Sequence, residues 1–127
     1  MSMRTPLGRV RGLGSAGTGT DHFWAQRVTS VAGIPLTVGF IVIVAMLVGR
    51  SHAATVQILG SPIVALTMIL FIVTIVYHMW LGMQIIIEDY VNDPLHKAVI
   101  AMGNTFFCCV VGLASVVAVL KLSIGVV

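Results

Sequence analysis

One histidine of this sequence lies deep within an apolar stretch. His78 directly follows the uncharged run ILFIVTIVY and precedes the next carboxylate by about ten residues, or roughly 15 Å along a helix axis. Ionisable side chains at such depth in an apolar segment are rare, and they usually face a bundle interior, a cavity or a cofactor. An imidazole there could ligate a metal cofactor or relay protons, or it could be a neutral group hydrogen-bonded to another helix. Depth alone leaves these alternatives open.

The helix face that carries His78 also carries a glycine one turn away. Four residues share this stripe because eleven positions at about 100° each come within roughly 20° of a whole number of turns: His78, Gly82, Ile85 and Asp89. Gly82 removes a side chain beside the imidazole. A flat macrocycle lying against the helix needs such a gap, but close helix packing needs it as well.

A haem site built on His78 would be incomplete within one chain. A six-coordinate haem used for electron transfer has two axial ligands, commonly His or Met. The other three histidines all occur at or near the ends of apolar stretches, namely His22, His52 and His96. The second ligand is therefore expected from another subunit.

Two carboxylates and a tyrosine follow where the apolar stretch ends. Carboxylates at a helix C-terminus oppose its macrodipole, so the succession of Glu88 and Asp89 suggests a compensating use. The hydroxyl of Tyr90, beside a carboxylate, can donate a hydrogen bond to a carbonyl and relay protons. These groups suit the reduction of a lipid-soluble quinone, which takes up two protons at the membrane interface. The alternative is an ordinary interfacial position, where tyrosine is enriched.

An arginine precedes the first apolar segment and is expected at the level of these carboxylates. Arg27 ends the stretch DHFWAQR, and the first long helix begins on the side of the membrane where the second one ends. Its guanidinium could pair with Asp89, contact lipid phosphates or hold a haem propionate through two hydrogen bonds. Trp24 is interpreted as an interfacial anchor, and Trp80 as a packing residue because it lies off the His78 stripe.

The composition indicates that a membrane positions these residues. Of the 127 residues, 58% are hydrophobic and only 9% are charged, whereas soluble domains carry about 25% charged residues. The charges bracket three long apolar runs, and a helix needs about 20 predominantly apolar residues to cross the hydrocarbon core. The sequence therefore predicts an all-α membrane protein with three transmembrane helices at about 29–49, 62–87 and 97–121.

Prolines and polar residues mark the predicted boundaries. The segment SHAATVQILGSP is predicted to be a loop because it is polar and ends in Gly-Ser-Pro. Pro35 is expected in the first turns of the first helix, where it could introduce a kink. Pro94, in the sequence NDP, is expected to separate the second helix from the third.

The distribution of Lys and Arg predicts the orientation. Five basic residues lie on the side shared by the N-terminal segment and the 88–96 turn, against two on the other side: Arg4, Arg9, Arg11, Arg27 and Lys97 against Arg50 and Lys121. Residues 1–28 are expected to form a cytoplasmic arm and interfacial segment, and residues 29–127 a three-helix anchor that ends in the periplasm. The Gly-, Ser- and Thr-rich start lacks a continuous apolar core and is interpreted as a flexible arm rather than a signal peptide. This topology explains the net charge of +3, so no nucleic-acid partner is inferred.

Two stretches together resemble a known family. DHFWAQRVTSVAGIPL before the first helix contains a W-x-Q-R element, and HMWLGMQIIIEDYV in the second contains H-x-W-x-G-M followed by D-Y. The combination resembles the small hydrophobic membrane-anchor (D) subunits of bacterial succinate dehydrogenase, respiratory complex II, in their alphaproteobacterial form. The resemblance covers the whole chain in length, number of spans and orientation, and the spacing from H to DY is its most specific part.

The resemblance implies roles for particular residues. His78 would be an axial ligand of haem b, whose other ligand comes from a second anchor subunit, cytochrome b556. Arg27 would approach the haem propionates, and Gly82 would pack against the haem. Tyr90 would hydrogen-bond ubiquinone with Asp89 close by.

Partners and location follow from the same resemblance. Electrons would arrive from a flavoprotein subunit through an iron–sulfur subunit, at the bacterial inner membrane. The resemblance also allows a trimer of such heterotetramers. Glu88 departs from the family pattern and is assigned no role.

Two other classes of protein are alternatives to this one. A small proton-coupled transporter would use an intramembrane carboxylate as its relay, but the predicted spans place Glu88 and Asp89 at the membrane edge. A purely structural anchor, with neither haem nor quinone, would not require His78. The first alternative is disfavoured by the sequence, and the second stays open.

The predicted topology can be tested with reporter fusions. Fusions after Leu59 and after Val127 should report the periplasmic side, and a fusion after Asp93 the cytoplasmic side, because the basic residues are concentrated with the N-terminus. A cytoplasmic reporter after Val127 would contradict the three-span topology.

Overall fold

The fold consists of helices, as the sequence predicts. The computed structural model describes residues 5–12 and 19–125, and Arg4, Val127 and residues 13–18 of the predicted arm lie outside them. Five helices follow one another in the described ranges: α1 (Pro6–Val10), α2 (Gly19–Leu47), α3 (His52–Leu59), α4 (Pro62–Tyr90) and α5 (Pro94–Ile124). Three of them, α2, α4 and α5, are long and apolar enough to cross a membrane. The predicted all-α fold with three transmembrane helices is confirmed.

Each long helix extends beyond its predicted span at one end or both, although α2 ends at Leu47, just before the predicted end near 49. Helix α2 begins at Gly19 rather than near 29, and α4 continues to Tyr90 rather than 87. Helix α5 runs from Pro94 to Ile124. A helix of 29 residues such as α4 is roughly 44 Å long, against about 30 Å of hydrocarbon. Charge-free runs mark only the hydrocarbon portion, so the helix ends reach the headgroup region.

Three local predictions were wrong. The predicted loop at 51–62 contains helix α3, which Ser51 caps by accepting a hydrogen bond from the Ala54 N–H at 3.4 Å. Part of the predicted flexible arm forms the short helix α1, capped by Thr5. Pro35 lies in the interior of α2 and not in its first turns, so it removes one helical hydrogen bond there. In each of the first two cases, a hydroxyl that caps the first turn stabilises a helix in a segment whose polar composition predicts a loop.

Helix α4 is the central element of the bundle. It packs against both α2 and α5, and α3 packs against α4 and α5. On the α2 side, the rings of Phe40 and Phe71 stack with centroids 4.4 Å apart. On the α5 side, Trp80 Nε1 donates to Thr105 Oγ1 at 3.0 Å, and Asn104 Nδ2 donates to the Trp80 carbonyl at 3.3 Å. The packing role predicted for Trp80 is confirmed.

The core of the chain is small for its length. Only seven hydrophobic residues of the described ranges are buried, which are Ile43, Leu59, Ala65, Leu81, Ile87, Cys108 and Val119. Large apolar side chains cover the outside of all three long helices. In a membrane this surface faces lipid or neighbouring subunits, and contact of apolar side chains with either of them is not unfavourable.

The turn between α4 and α5 is held by polar contacts at both helix ends. Asp93 caps α5 by accepting from the Leu95 N–H at 2.9 Å, and its other oxygen lies 2.7 Å from His96 Nδ1. The hydrogen bond from His96, and then that from Leu95, lower the pKa of Asp93. Lys97 Nζ donates to the backbone carbonyl of Glu88 at 2.9 Å, which offsets the negative end of the α4 dipole. These contacts fix the end of α4 that carries Glu88, Asp89 and Tyr90.

The approach of α4 and α5 can be tested at a glycine. A Cβ at Gly112 would lie 3.3 Å from Cγ1 of Val76, so Gly112→Val should overpack this contact by about 1–3 kcal/mol. Gly103→Val is the matched control on the same helix, because no heavy atom lies within 4 Å of a Cβ there. Thermal unfolding of the full-length chain in detergent measures the difference. Equal melting temperatures for the two variants would contradict the packing.

Candidate functional site

The imidazole of His78 lies between α4 and α2. Its Nδ1 is 2.9 Å from Thr29 Oγ1, and its Nε2 is 3.5 Å from Gln26 Nε2. The side chain is half-buried. Two residues further along α4, Trp80 contacts α5, about 200° away around the helix. The inward orientation expected of a deep histidine is confirmed, and so is the hydrogen bond to another helix that the structural alternative predicts.

Gly82 leaves open space beside this imidazole. No heavy atom lies within 4 Å of a Cβ built on it, in contrast to Gly112 at the α4–α5 contact and to Gly39, where a Cβ would lie 3.2 Å from Thr67 Cγ2. Within the chain, therefore, Gly82 is not required for close helix packing. Its space is available to a group from outside the chain.

A cleft lies between the first half of α2 and the last turns of α4. It has a volume of about 810 Å³ and is lined by His22, Phe23, Gln26, Arg27, Ser30, Val31, Ile85 and Glu88. Gln26 belongs both to the cleft and to the surroundings of His78. The cleft therefore adjoins the histidine on the side where α2 begins.

Arg27 is held at the edge of this cleft by an aromatic ring. Its guanidinium carbon lies 5.1 Å from the centroid of the Phe23 ring, within the range of a cation–π contact. On the opposite wall, Glu88 Oε1 accepts a hydrogen bond from Gln84 Nε2 at 3.2 Å. The cleft thus combines a cation with a carboxylate, and its remaining walls are half polar and half apolar.

Asp89 and Tyr90 are not part of the cleft. Both are exposed, and 81% of the Tyr90 surface is accessible. Tyr90 is also twelve positions from His78 along α4, or roughly 18 Å. The structure therefore brings Arg27 near the surroundings of His78, whereas Asp89 and Tyr90 project from the end of α4 to the outside of the chain.

Three residues that the structure places at the site were not predicted from the sequence. Thr29 and Gln26 contact the imidazole, and Glu88 lines the cleft although it was assigned no role. A signal was present for α2, since His22, Gln26 and Ser30 recur every four residues and so share one helix face. No local pattern pairs Glu88 with α2, because the two are remote in sequence.

Comparison with known proteins identifies the family. A model of the transmembrane subunits of succinate dehydrogenase and fumarate reductase matches residues 1–120. The chain belongs to this family. The family predicted from the W-x-Q-R and H-to-DY elements is therefore confirmed.

Individual relatives support the same assignment. The succinate dehydrogenase hydrophobic membrane anchor subunit of Paracoccus denitrificans is 36% identical over 121 residues, which cover 95% of this chain and 93% of the relative. The corresponding subunit of Rickettsia bellii is 26% identical over 118 residues, covering 91% of this chain and 93% of the relative. No solved structure matches the chain significantly.

Membership in the succinate dehydrogenase anchor family agrees with the helices described above. Three long apolar helices and the names of the relatives confirm a multi-pass protein of the inner membrane. The anchor-subunit function predicted from the sequence fits these names, and the proton-coupled transporter does not.

Proposed function

We propose that this chain anchors the flavoprotein and iron–sulfur subunits of succinate dehydrogenase to the inner membrane. In this proposal its N-terminus is cytoplasmic and its C-terminus periplasmic. Together with a second anchor subunit, cytochrome b556, it holds haem b and forms the ubiquinone-reduction site. The isolated chain has no activity of its own. The observation that carries the haem assignment is the inward-facing imidazole of His78 with open space at Gly82.

The residues around His78 fit a haem better than a bare metal ion. No group of three or more His, Cys, Asp and Glu side chains could hold an ion among residues 5–12 and 19–125. Most ligands of a metal bound by His78 must therefore come from a cofactor, as the porphyrin nitrogens do in haem. The unfilled space at Gly82 suits a flat ring. His78 is the one histidine deep within an apolar stretch of the sequence, which suits a site shared between two subunits.

The cleft supplies the charge that a haem edge requires. Propionates are anionic, and the guanidinium of Arg27 lies at the cleft against the Phe23 ring, where it could pair with a propionate. His22 lines the same cleft. A bound haem b would supply one-electron transfer between the iron–sulfur subunit and the quinone site. Arg27 would orient it and offset its negative charge.

Tyr90 and Asp89 are proposed to serve quinone reduction at the end of α4. Their exposure on the isolated chain leaves both polar groups available to a ligand that other subunits help to enclose. The Tyr90 hydroxyl would donate a hydrogen bond to a quinone carbonyl. Asp89, next to it, would deliver protons from the aqueous side.

The first test concerns His78. The variant His78→Ala should abolish or alter the haem b absorption spectrum of the assembled complex, because the axial nitrogen is removed. His52→Ala is the matched control, since that histidine is exposed at the start of α3. Reduced-minus-oxidised spectra and low-spin EPR of purified membranes measure the effect. An unchanged haem signal in His78→Ala would reject His78 as the haem ligand.

The second test concerns Tyr90. Tyr90→Phe keeps the ring and removes the hydroxyl, so ubiquinone reduction should fall roughly ten- to hundredfold, corresponding to about 1–3 kcal/mol. Succinate oxidation with an artificial acceptor that draws electrons from the soluble subunits should stay near normal. Asp89→Asn should also slow turnover.

Tyr77→Phe provides the control for this test. Tyr77 is on the same helix and stacks on Trp80 with centroids 5.8 Å apart, a contact that phenylalanine preserves. Both activities are measured on the same membranes. Equal ubiquinone reduction by Tyr90→Phe and the wild type would reject the quinone role, and a parallel loss of both activities would indicate failed assembly.

A further inference from the structure

Thr29 has one proton to donate and three neighbours that could share it. Its Oγ1 lies 2.8 Å from the Ala25 carbonyl, 3.1 Å from the Gln26 carbonyl and 2.9 Å from His78 Nδ1. Carbonyl oxygens only accept hydrogen bonds, whereas a ring nitrogen of neutral histidine is either a donor or an acceptor. Two carbonyls within 3.1 Å favour a hydroxyl proton directed to the preceding turn of α2, and in that arrangement the hydroxyl oxygen accepts from Nδ1–H.

The other ring nitrogen agrees with this assignment. If Nδ1 carries the proton of a neutral imidazole, Nε2 carries the lone pair. The polar group that faces Nε2 is the amide nitrogen of Gln26, at 3.5 Å. That group is a donor, so it is matched to a lone pair, and the long distance makes it a weak competitor for it.

We propose that Thr29 is a positioning residue that holds His78 as the Nδ1–H tautomer and so presents Nε2 as the iron ligand. The proposal rests on the haem-binding function proposed above and adds to it a residue of α2. A hydrogen bond from the far nitrogen fixes the ring orientation of a ligating histidine and strengthens its donation to the metal. In this chain the bond crosses from α4 to α2, so the packing of these two helices determines the tautomer and orientation of the His78 imidazole.

The opposite tautomer has a definite structural requirement. Thr29 would have to turn its proton from both carbonyls to Nδ1, and the Gln26 amide would have to rotate so that Oε1 accepts from Nε2–H. Gln26 Oε1 is buried and has no hydrogen-bond partner among the described residues, so this arrangement would satisfy it. It would also leave Nε2 unable to bind iron, and the two arrangements are therefore experimentally distinct.

The tautomer can be read without haem. In the full-length chain, labelled with ¹⁵N-histidine and purified in detergent, the ¹⁵N spectrum of His78 should show a protonated Nδ1 and an unprotonated Nε2, with His78→Ala assigning the signals. Thr29→Val should lose this single tautomer, and Thr29→Ser should retain it. A protonated Nε2 in the wild type would overturn the proposal.

Thr67→Val is the matched control. Thr67 Oγ1 donates to the Ile63 carbonyl at 2.8 Å in the same manner as Thr29 but on α4. Its variant also exchanges a hydroxyl for a methyl group, and it should leave the His78 signals unchanged. Thr67→Val could change the tautomer as much as Thr29→Val does. That result would show a general effect of removing a hydroxyl that donates to its own helix backbone, and it would overturn the role of Thr29.

The assembled complex tests the consequence for iron. Thr29→Val should raise the midpoint potential of the haem, because weaker donation from the imidazole favours ferrous iron, and should lower haem affinity by up to about ten- to hundredfold. Thr29→Ser should restore both. A potential and haem content equal to wild type in Thr29→Val would overturn the positioning role.

Failure of the underlying haem assignment gives a different pattern. If His78 were not a haem ligand, His78→Ala would keep the haem spectrum while the tautomer measured in the isolated chain could still depend on Thr29. If only the present proposal were wrong, His78→Ala would lose the haem signal and Thr29→Val would not shift the potential.

Discussion

A polar side chain in hydrocarbon must find a partner within the protein, and the partner of the His78 imidazole is the hydroxyl of Thr29 on the neighbouring helix. This contact fixes how α4 is turned relative to α2. It also places Trp80 on the far side of α4, where its indole N–H is satisfied by Thr105 of α5. Two interhelical hydrogen bonds from one short stretch of α4 thus set the faces that the central helix presents to both neighbours.

The remaining packing is modest, which suits a subunit of a larger assembly. Seven buried hydrophobic residues among the described ranges form a small core, and most of the apolar surface faces outward. Open space beside Gly82 contrasts with the tight contact at Gly112. Helix α4 therefore packs closely against α5 at Gly112 and against α2 at Gly39 and leaves room at Gly82, as expected where a cofactor or a second subunit completes the structure.

The end of α4 separates two kinds of polar group. Glu88 belongs to the cleft that α2 closes, together with Arg27, whereas Asp89 and Tyr90 point away from it. Neighbouring residues on a helix differ in direction by about 100°, so three consecutive residues serve different surroundings. Lys97 and Asp93 hold the backbone at this point, and the exposed groups consequently project from a rigid turn.

Local sequence determined the long helices and the depth of His78, because apolar length and the helical repeat are properties of one segment. It also placed His78 and Gly82 on one stripe and predicted a packing role for Trp80. The tertiary structure alone decided that Thr29 and Gln26 meet the imidazole and that Glu88 faces α2. These contacts depend on the rotation and vertical register of one helix against another. Hydropathy does not encode either quantity, since lipid and apolar protein surfaces are almost equivalent neighbours for an apolar helix.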